Sequence, residues 1–353
     1  MRNKIKVSFN ELPMNSHESL RDSLIAHVGQ ITHETDTMIV TQLCLAVADL
    51  ALLMSAWKEP VIDLLDTLST QPQSVWPLLE ILAMIPEEID ARYLRLGANR
   101  REEVHKQLVA AAPKVIDFLC LCLQHGGEPS QEKIINSTFH CYTSWVALQA
   151  IPLQQSAQNA LTHQVFHMLS MENCPSKLHD TCSECLCALL SCMEANAGRD
   201  NLDPQLKLQI FTAVGMLEKP YHTAVGLEDI VKIMSYCRIF TTLCEAFFYD
   251  MFANEEVPHY SIKGLDLVLI CVGHYDYEVA EITFNLWCRL SEELFQRNND
   301  YLTNDFKPYI ERLIGALYRL AQMEPDHEGL IEEKDSFNVS NNSIFDFVIS
   351  LQT

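Results

Sequence analysis

Glycine and basic residues are both scarce in this chain of 353 residues. Only 11 residues are glycine, which disfavours turn-rich β-sandwiches and folds that hold a nucleotide phosphate in a glycine-rich loop. The 25 basic residues are outnumbered by 47 acidic ones, and the formal net charge is −22. Such a chain repels phosphate backbones, so we expect no direct nucleic-acid partner and predict a basic protein as the complementary partner.

Motifs of the common enzyme classes are also absent. The sequence contains no P-loop, no HExxH helix and no GxSxG elbow. Asp326, His327 and Glu328 have the residue types of an acid–base set, but adjacent residues of a loop point in different directions. We therefore expect a solvated turn there, and we predict no catalytic residues and no cofactor.

A membrane span is not predicted either. The most apolar stretch, Ile39–Trp57, contains Gln42 and Asp49 and is typical of a buried helix. The first nine residues are basic and mixed in character, which is not the pattern of a secretory signal. We expect a soluble protein in a reducing compartment.

Apolar residues make up 48% of the chain, and most of its 13 cysteines lie within apolar helical patterns. A free cysteine behaves as a small buried hydrophobe. One cluster has the residue types of a zinc site, which takes four ligands in a tetrahedron. Its members also share a stripe with Leu186, Leu189 and Met193 that is expected to face the core, so we interpret them as core residues and predict no metal. The cluster consists of His179, Cys182, Cys185, Cys187 and Cys192.

Apolar residues recur with the period of an α-helix through most of the chain. One such stripe begins at Phe306 and continues in steps of three and four residues to Ala321. Asn15 followed by Glu18 resembles a capping box, and Asp203-Pro204 is a typical helix start. No sustained two-residue alternation bounded by hairpin turns competes with these patterns, so the predicted fold class is all-α.

The predicted helices come in antiparallel pairs that begin roughly 43 to 58 residues apart, near the repeat length of HEAT or armadillo arrays. Each pair has more apolar surface than it can bury alone, and stacking of neighbouring pairs into an α-solenoid, a superhelix of such pairs, buries it. A globular helical bundle is the competing interpretation. The pairs are 16–28 with 37–54, 59–69 with 74–85, 103–125 with 131–148, 154–170 with 176–195, 204–216 with 227–251 and 262–273 with 276–297, followed by a last helix near 305–323.

The repeats are expected to extend over residues 16–331. Residues 1–15 have a short amphipathic pattern and are interpreted as the remnant of a preceding repeat, whereas residues 332–353 are expected to form a divergent, poorly ordered tail. Solenoids carry polar caps on their outermost repeats, and neither terminus supplies one. We therefore expect a fragment of a longer array.

Basic residues cluster between Arg92 and Arg101 in this acidic chain. Guanidinium groups bind carboxylates through paired hydrogen bonds, which makes Arg95, Arg100 and Arg101 candidate partner-binding residues. The alternative is intramolecular. Two glutamates follow Arg101 at a helix start, and the arginines would then tie a long loop to neighbouring acidic residues.

Acidic residues are the other candidate binding feature. They provide solubility in one interpretation and form an acidic concave surface for a basic partner in the other. The sites singled out are Asp229, Glu255, Glu256, Glu292, Glu293, Glu332 and Glu333.

Short motifs along the chain match one receptor family in the same order. They are Phe9-Asn-Glu-Leu-Pro13, Ser16-His-Glu-Ser-Leu-Arg-Asp-Ser-Leu24, Val40-Thr-Gln-Leu43, Ala48-Asp-Leu-Ala51, Leu79-Glu-Ile-Leu82, Pro86-Glu-Glu88, Leu96-Gly-Ala-Asn-Arg-Arg101, Tyr236-Cys-Arg-Ile-Phe-Thr241, Glu278-Val279, Phe284-Asn-Leu-Trp287 and Glu324-Pro-Asp-His-Glu-Gly329. The match covers roughly residues 4–331 and is collinear, which makes it specific. The chain resembles the transportin-SR receptors of the importin-β superfamily.

The resemblance implies a HEAT solenoid that carries SR-type splicing-factor cargo through nuclear pores and releases it when Ran-GTP binds. It implies Ran-GTP, SR proteins and nucleoporins as partners, no catalytic activity, and shuttling between cytoplasm and nucleus through the nuclear envelope. An exportin/importin-β-like region is expected at about residues 30–180, with further repeats after it.

The resemblance also predicts a truncated form. Members of the family bind Ran-GTP chiefly through their first repeats and recognise SR cargo through an arginine-rich helix in the C-terminal half. The first repeat, most of the second and the arginine-rich helix have no equivalent in this sequence. The competing function is a HEAT-repeat scaffold or regulatory subunit, which binds a basic partner without nucleotide dependence.

Overall fold

The computed structural model describes residues 5, 9–32, 34–94, 96–124, 131–197, 202–253 and 259–322. These residues form helices that pack in adjacent pairs, without strands, as in a HEAT α-solenoid. The all-α prediction is confirmed. The chain divides into two compact units, residues 1–168 (unit 1) and 169–353 (unit 2), and each is described by itself.

Unit 1 holds α1 to α8, and the last two residues of α8 belong to unit 2. Short 3₁₀ turns at Phe9–Glu11, Pro72–Ser74 and Arg92–Leu94 accompany them. The helices are α1 (Met14–Val28), α2 (Thr37–Leu53), α3 (Pro60–Leu68), α4 (Val75–Glu88), α5 (Ala98–Gln124), α6 (Gln131–Ala147), α7 (Leu153–Ala157) and α8 (Ala160–Ser170).

The second helices of the first three predicted pairs, α2, α4 and α6, pack side by side in chain order. Helix α2 begins where Asp36 Oδ1 accepts a hydrogen bond of 2.7 Å from the Met38 amide. It is apolar almost all round and buried from Ala46 to Leu52, as a helix with neighbours on both sides must be. The Trp145 indole of α6 is fully buried and donates to the Leu82 carbonyl of α4 over 2.9 Å.

Unit 2 contains helices of 4 to 21 residues. They are α9 (Ser176–Ala195), α10 (Pro204–Gly215), α11 (Glu218–Gly226), α12 (Ile230–Ala246), α13 (Phe248–Met251), α14 (Gly264–Val272), α15 (Tyr277–Glu281), α16 (Phe284–Arg297) and α17 (Asp300–Leu320), with a 3₁₀ turn at Tyr260–Lys263.

The central packing of unit 2 joins α9 to α12, α12 to α14, and α14 to α17. Helix α14 is the first member of its predicted pair, yet it is buried on nearly all sides. Gly264 opens this helix, and a Cβ there would lie 2.9 Å from Sγ of Cys244 on α12. The missing side chain therefore lets the two helices approach closely.

Helix starts and breaks differ from the prediction at several places. Asp203 caps α10 as predicted, but α1 begins at Met14 after Pro13, with no side-chain cap, so the predicted capping box is wrong. The helix predicted over 154–170 is interrupted between α7 and α8, where Asn159 Oδ1 accepts from the Leu161 amide and starts a new helix. Residues 218–226, predicted as part of a loop, form α11.

Helix α5 is long and apolar enough to cross a membrane, and one third of its most apolar window is buried inside the structure. Length and composition alone do not distinguish a membrane span from the core helix of a soluble protein.

Glu228 closes the turn between α11 and α12 with a positive φ of 55°. We expect Glu228→Gly to raise the free energy of unfolding by about 0.5 to 1 kcal/mol, because glycine adopts this conformation without a Cβ clash. Urea denaturation measures the change. The matched control is Leu227→Gly, whose φ is −95° and whose substitution should lower stability. A loss of stability in Glu228→Gly would contradict the expectation.

Candidate interaction surface

Helices α4 and α6 of unit 1 run parallel in a constant register. Lys133 Nζ lies 3.0 Å from the ring centre of Trp76, Ser137 donates to Glu80 over 2.7 Å, and Ser144 donates to Glu87 over 2.6 Å. The partners in each of these three contacts are 57 residues apart. Because this offset is constant, the exposed side chains of α4 and those of α6 lie on the same face of the helix pair.

Helices α9 and α12 of unit 2 repeat this arrangement. Arg238 Nη2 lies 2.5 Å from Asp180 Oδ1, and the Ser235 hydroxyl donates to the same carboxylate over 3.2 Å. Cys187 lies seven residues after Asp180, and Thr242 lies seven residues after Ser235. The side chains of Cys187 and Thr242 are hydrogen-bonded to each other. Both helices are buried except for one narrow stripe each, so these stripes form a common surface.

The exposed stripes of α9 and α12 carry more carboxylates than cations. We call the carboxylates Asp180, Glu184, Glu194 and Glu245 the α9–α12 acidic surface. Arg238 binds Asp180, and Arg289 of α16 binds Glu194 at 2.5 Å. The four carboxylates face these two guanidinium groups and Lys177, which is exposed at the start of α9, so one negative charge is in excess.

The C-terminal part of this surface concentrates that excess. Glu194 and Glu245 both lie near Arg289, which pairs directly with Glu194. Burial raises the pKa of the Glu245 carboxyl above its usual range, and the negative charge of Glu194 raises it further, whereas Arg289 acts against both. A second cation beside Glu245 would relieve this cost.

Aromatic rings border the same place. The Arg289 guanidinium lies 4.1 Å from the ring centre of Phe248 and 5.5 Å from that of Tyr249. Tyr249 is 56% exposed. Carboxylates beside aromatic faces are the groups that bind guanidinium side chains, through hydrogen bonds and cation–π contacts.

The predicted partner-binding arginines occupy different settings. Arg95 lies outside the residues that the structure describes. Arg100 donates to the carbonyls of Ala51, Leu52 and Met54 at the end of α2, so it takes the intramolecular role. Arg101 is half-buried on α5, and its Nε has no hydrogen-bond partner among the described residues. Partner binding by these arginines stays a prediction.

The cysteine–histidine cluster lies in the core of unit 2. His179, Cys182, Cys185 and Cys192 are buried, and Cys187 is half-buried. Burial raises the pKa of the Cys187 thiol to about 11, whereas zinc binds the thiolate. Among the described residues, no three His, Cys, Asp or Glu side chains are arranged to hold a metal ion.

The acidic residues singled out from the sequence are mostly occupied elsewhere. Asp229 caps α12 and pairs with Lys232, and Glu293 pairs with Arg297. Glu292 lies exposed on α16. The other sites, the predicted tail and the set at 326–328 lie outside the described residues; the acidic sites among them are Glu255, Glu256, Glu332 and Glu333.

Sequence reasoning missed Glu194, Glu245 and Arg289. The two glutamates come from successive second helices and are 51 positions apart, about one repeat. Aligning the predicted pairs on one another was the available signal. No such signal exists in the sequence for Arg289, because its ion-pair partner Glu194 lies 95 residues away.

Two family models match the chain. The model described as "Exportin 1-like protein" matches residues 36–186, and the "Transportin-3/Importin-13 second TPR domain" matches residues 228–319. The second match includes Arg238, Glu245 and Arg289, and the first includes Asp180 and Glu184.

Curated relatives align along nearly the whole chain. Importin-13 of Bos taurus is 25% identical over 97% of this chain and 36% of its own length. Transportin MOS14 of Arabidopsis thaliana is 23% identical over 99% of the chain and 37% of its own length. The mRNA transport regulator MTR10 of Saccharomyces cerevisiae is 23% identical over 96% of the chain and 35% of its own length. The chain thus spans about a third of the length of these relatives.

The fold, the two matched models and the aligned relatives agree with one another. Receptors of the importin-β family are non-enzymatic, and the surface built here from paired charges is suited to binding rather than to chemistry. The chain is similar to transport receptors of the importin-β family, among them importin-13, transportin MOS14 and MTR10.

Proposed function

We propose that the chain acts in nuclear protein import as part of a transportin-SR-type receptor. In this proposal it binds an arginine-rich, SR-type cargo segment on the α9–α12 acidic surface, and this binding is regulated by Ran-GTP. Nucleoporins are its partners at the pore, and it shuttles between cytoplasm and nucleus.

One observation carries the cargo part of this proposal. Glu194 and Glu245 share a single guanidinium, that of Arg289, on a half-exposed surface bordered by aromatic rings. An arginine of the cargo would supply the second cation. Charge-assisted hydrogen bonds of this kind are roughly twice as strong as neutral ones.

Several finer points belong to the same proposal. The repeats are proposed to span residues 16–331, and Arg95 and Arg101 are proposed as additional partner contacts, whereas Arg100 binds the carbonyls at the end of α2. A solenoid changes curvature at modest cost, so Ran-GTP and cargo would favour different curvatures and exclude each other.

A peptide titration tests the cargo site. We expect Glu245→Gln to weaken binding of an unphosphorylated Arg-Ser peptide about 5- to 10-fold, because one charge-assisted hydrogen bond is lost. Glu218→Gln is the matched control, since it removes the same charge from an exposed position on α11. Fluorescence anisotropy gives both affinities. Equal weakening by the two variants would indicate non-specific attraction and contradict the site.

A capture experiment with Ran in two nucleotide states distinguishes a receptor function from a scaffold function. Ran loaded with GTP or with GDP is presented to this chain and to a version extended at its N-terminus by the preceding repeats of a relative. We expect GTP-selective capture by the extended version. Equal capture of both nucleotide states would favour a scaffold without nucleotide dependence.

A further inference from the structure

Arg289 of α16 lies where the proposed cargo site would hold an arginine of the cargo. Its guanidinium lies 2.5 Å from the Glu194 carboxylate, 4.1 Å from the ring centre of Phe248 and 5.5 Å from that of Tyr249. A carboxylate beside aromatic faces binds a guanidinium group whatever chain carries it. The chain therefore fills one guanidinium position of this site with a side chain of its own.

Glu245 provides a second guanidinium position beside the first. Arg289 donates a hydrogen bond to Glu194, whereas it acts on Glu245 through its charge. Glu245 is half-buried, so a cation can reach it from solvent. Asp250 on the neighbouring helix α13 adds no net charge, because Lys207 pairs with it at 2.9 Å. Among the described residues, two carboxylates at this end of the surface thus share one guanidinium group.

The Arg289 side chain is open to competition from another arginine. It is 33% exposed, and the side chain of its partner Glu194 is 30% exposed. Because solvent reaches both groups, water screens their charges and the pair is weaker than a buried one. An arginine of a bound segment makes the same kinds of contact, so it can compete with Arg289 for Glu194 and for the face of Phe248.

The repeat of an Arg-Ser segment suits two neighbouring guanidinium positions. Every second side chain of such a segment is an arginine, and alternate side chains of an extended chain project to the same side about 7 Å apart. The Arg289 guanidinium contacts Glu194 and lies close enough to Glu245 for its charge to act on that carboxyl. Two successive arginines of one segment would therefore reach both carboxylates once Arg289 is removed.

We infer that Arg289 is a specificity-determining residue that occupies one of two guanidinium positions at Glu194 and Glu245. This end of the α9–α12 acidic surface then accepts one cargo arginine with Arg289 in place and two without it. The inference rests on the proposed cargo site and adds to it a competitor within the chain. Arg289 thereby holds the affinity for cargo below what the two carboxylates allow, which keeps the binding reversible.

Peptide titrations with the full chain and with its Arg289→Leu variant test the inference. The probes are dye-labelled peptides with one arginine, Ala-Arg-Ser-Ala-Ser, or with two, Ala-Arg-Ser-Arg-Ser, followed by fluorescence anisotropy. We expect the variant to bind the two-arginine peptide about 10-fold more tightly than the unchanged chain does, because one charge-assisted hydrogen bond is gained. The one-arginine peptide should gain at most about 3-fold, from the loss of one positive charge.

Arg297→Leu is the matched control on the same helix. Arg297 likewise pairs with a glutamate, Glu293 at 2.6 Å, and lies 4.7 Å from an aromatic ring centre, that of Phe252. We expect its loss to raise the affinity for both peptides by the same factor of at most about 3. Arg289→Lys keeps the charge but not the planar guanidinium, so it should favour the two-arginine peptide by a smaller factor, even if Arg289→Leu fails to fold.

The outcomes separate this inference from the proposed cargo site. If Arg289→Leu weakens both peptides, or strengthens the two-arginine peptide no more than the one-arginine peptide, the inference is overturned. The cargo site still stands in that case, provided that Glu245→Gln weakens binding. If neither peptide binds the unchanged chain, or if Glu245→Gln binds as tightly as the unchanged chain, the cargo site fails and the inference fails with it.

Discussion

Replacing Arg100 with alanine is expected to lower the free energy of unfolding of unit 1 by about 3 kcal/mol. The guanidinium donates to Leu52 O over 2.9 Å and to Ala51 O and Met54 O over 3.3 Å each. These carbonyls end α2 and have no partner further along the helix. The Arg100 side chain is 13% exposed, so water replaces its hydrogen bonds poorly.

Denaturation followed by tryptophan fluorescence measures this loss, because Trp57, Trp76 and Trp145 all lie in unit 1. Lys106→Ala is the control on the same helix. Its pair with Glu102 is exposed to solvent and should contribute little to stability. If Arg100→Ala were as stable as the control but lost a partner, the partner-binding alternative would replace the intramolecular one.

Lowering the pH from 7 to 5 is expected to destabilise unit 2 through His179 by about 2 kcal/mol. The imidazole is fully buried, and neither ring nitrogen has a hydrogen-bond partner among the described residues. Burial lowers the pKa of His179 from 6.5 to about 4, with a further lowering by Lys232 and Arg238 against opposite effects of Asp229 and Asp180. The unfolded chain therefore takes up a proton first, and stability falls from pH 6.5 towards pH 4.

The variant His179→Phe keeps an aromatic ring beside Tyr236, where the two rings now meet edge to face at 4.7 Å. We expect its stability to depend less on pH than that of the unchanged chain. Burial also lowers the pKa of His259 and His274, so part of the dependence persists. His222→Gln, at a largely exposed position, is the control. An unchanged pH profile in His179→Phe would contradict the assignment.

The helical pairs were predictable because their signal is local. Apolar residues three and four positions apart mark a buried face wherever it packs, and α2, α6 and α17 lie close to their predicted ranges. The break between α7 and α8 was not predictable. Both flanking sequences are helical in pattern, and the break depends on buried hydrogen bonds from Tyr142 and Thr162 to the Ser156 carbonyl.

The sequence predicted the negative charge of the candidate site but not which residues form it. A net charge of −22 indicates a basic partner whatever the fold. It does not indicate which carboxylates share a surface, and most of the acidic residues singled out from the sequence proved to cap helices, pair locally or lie outside the described residues.

By itself the sequence determined the all-α class, the pairing of helices, the excess of acid and the likeness to a receptor family, because each depends on residue type and short-range spacing. Only the tertiary structure decided that Glu245 meets Glu194 and Arg289 and that Arg100 closes α2. Those contacts join residues roughly fifty or more positions apart. Their register is set by how side chains of packed helices interdigitate, which no local pattern encodes.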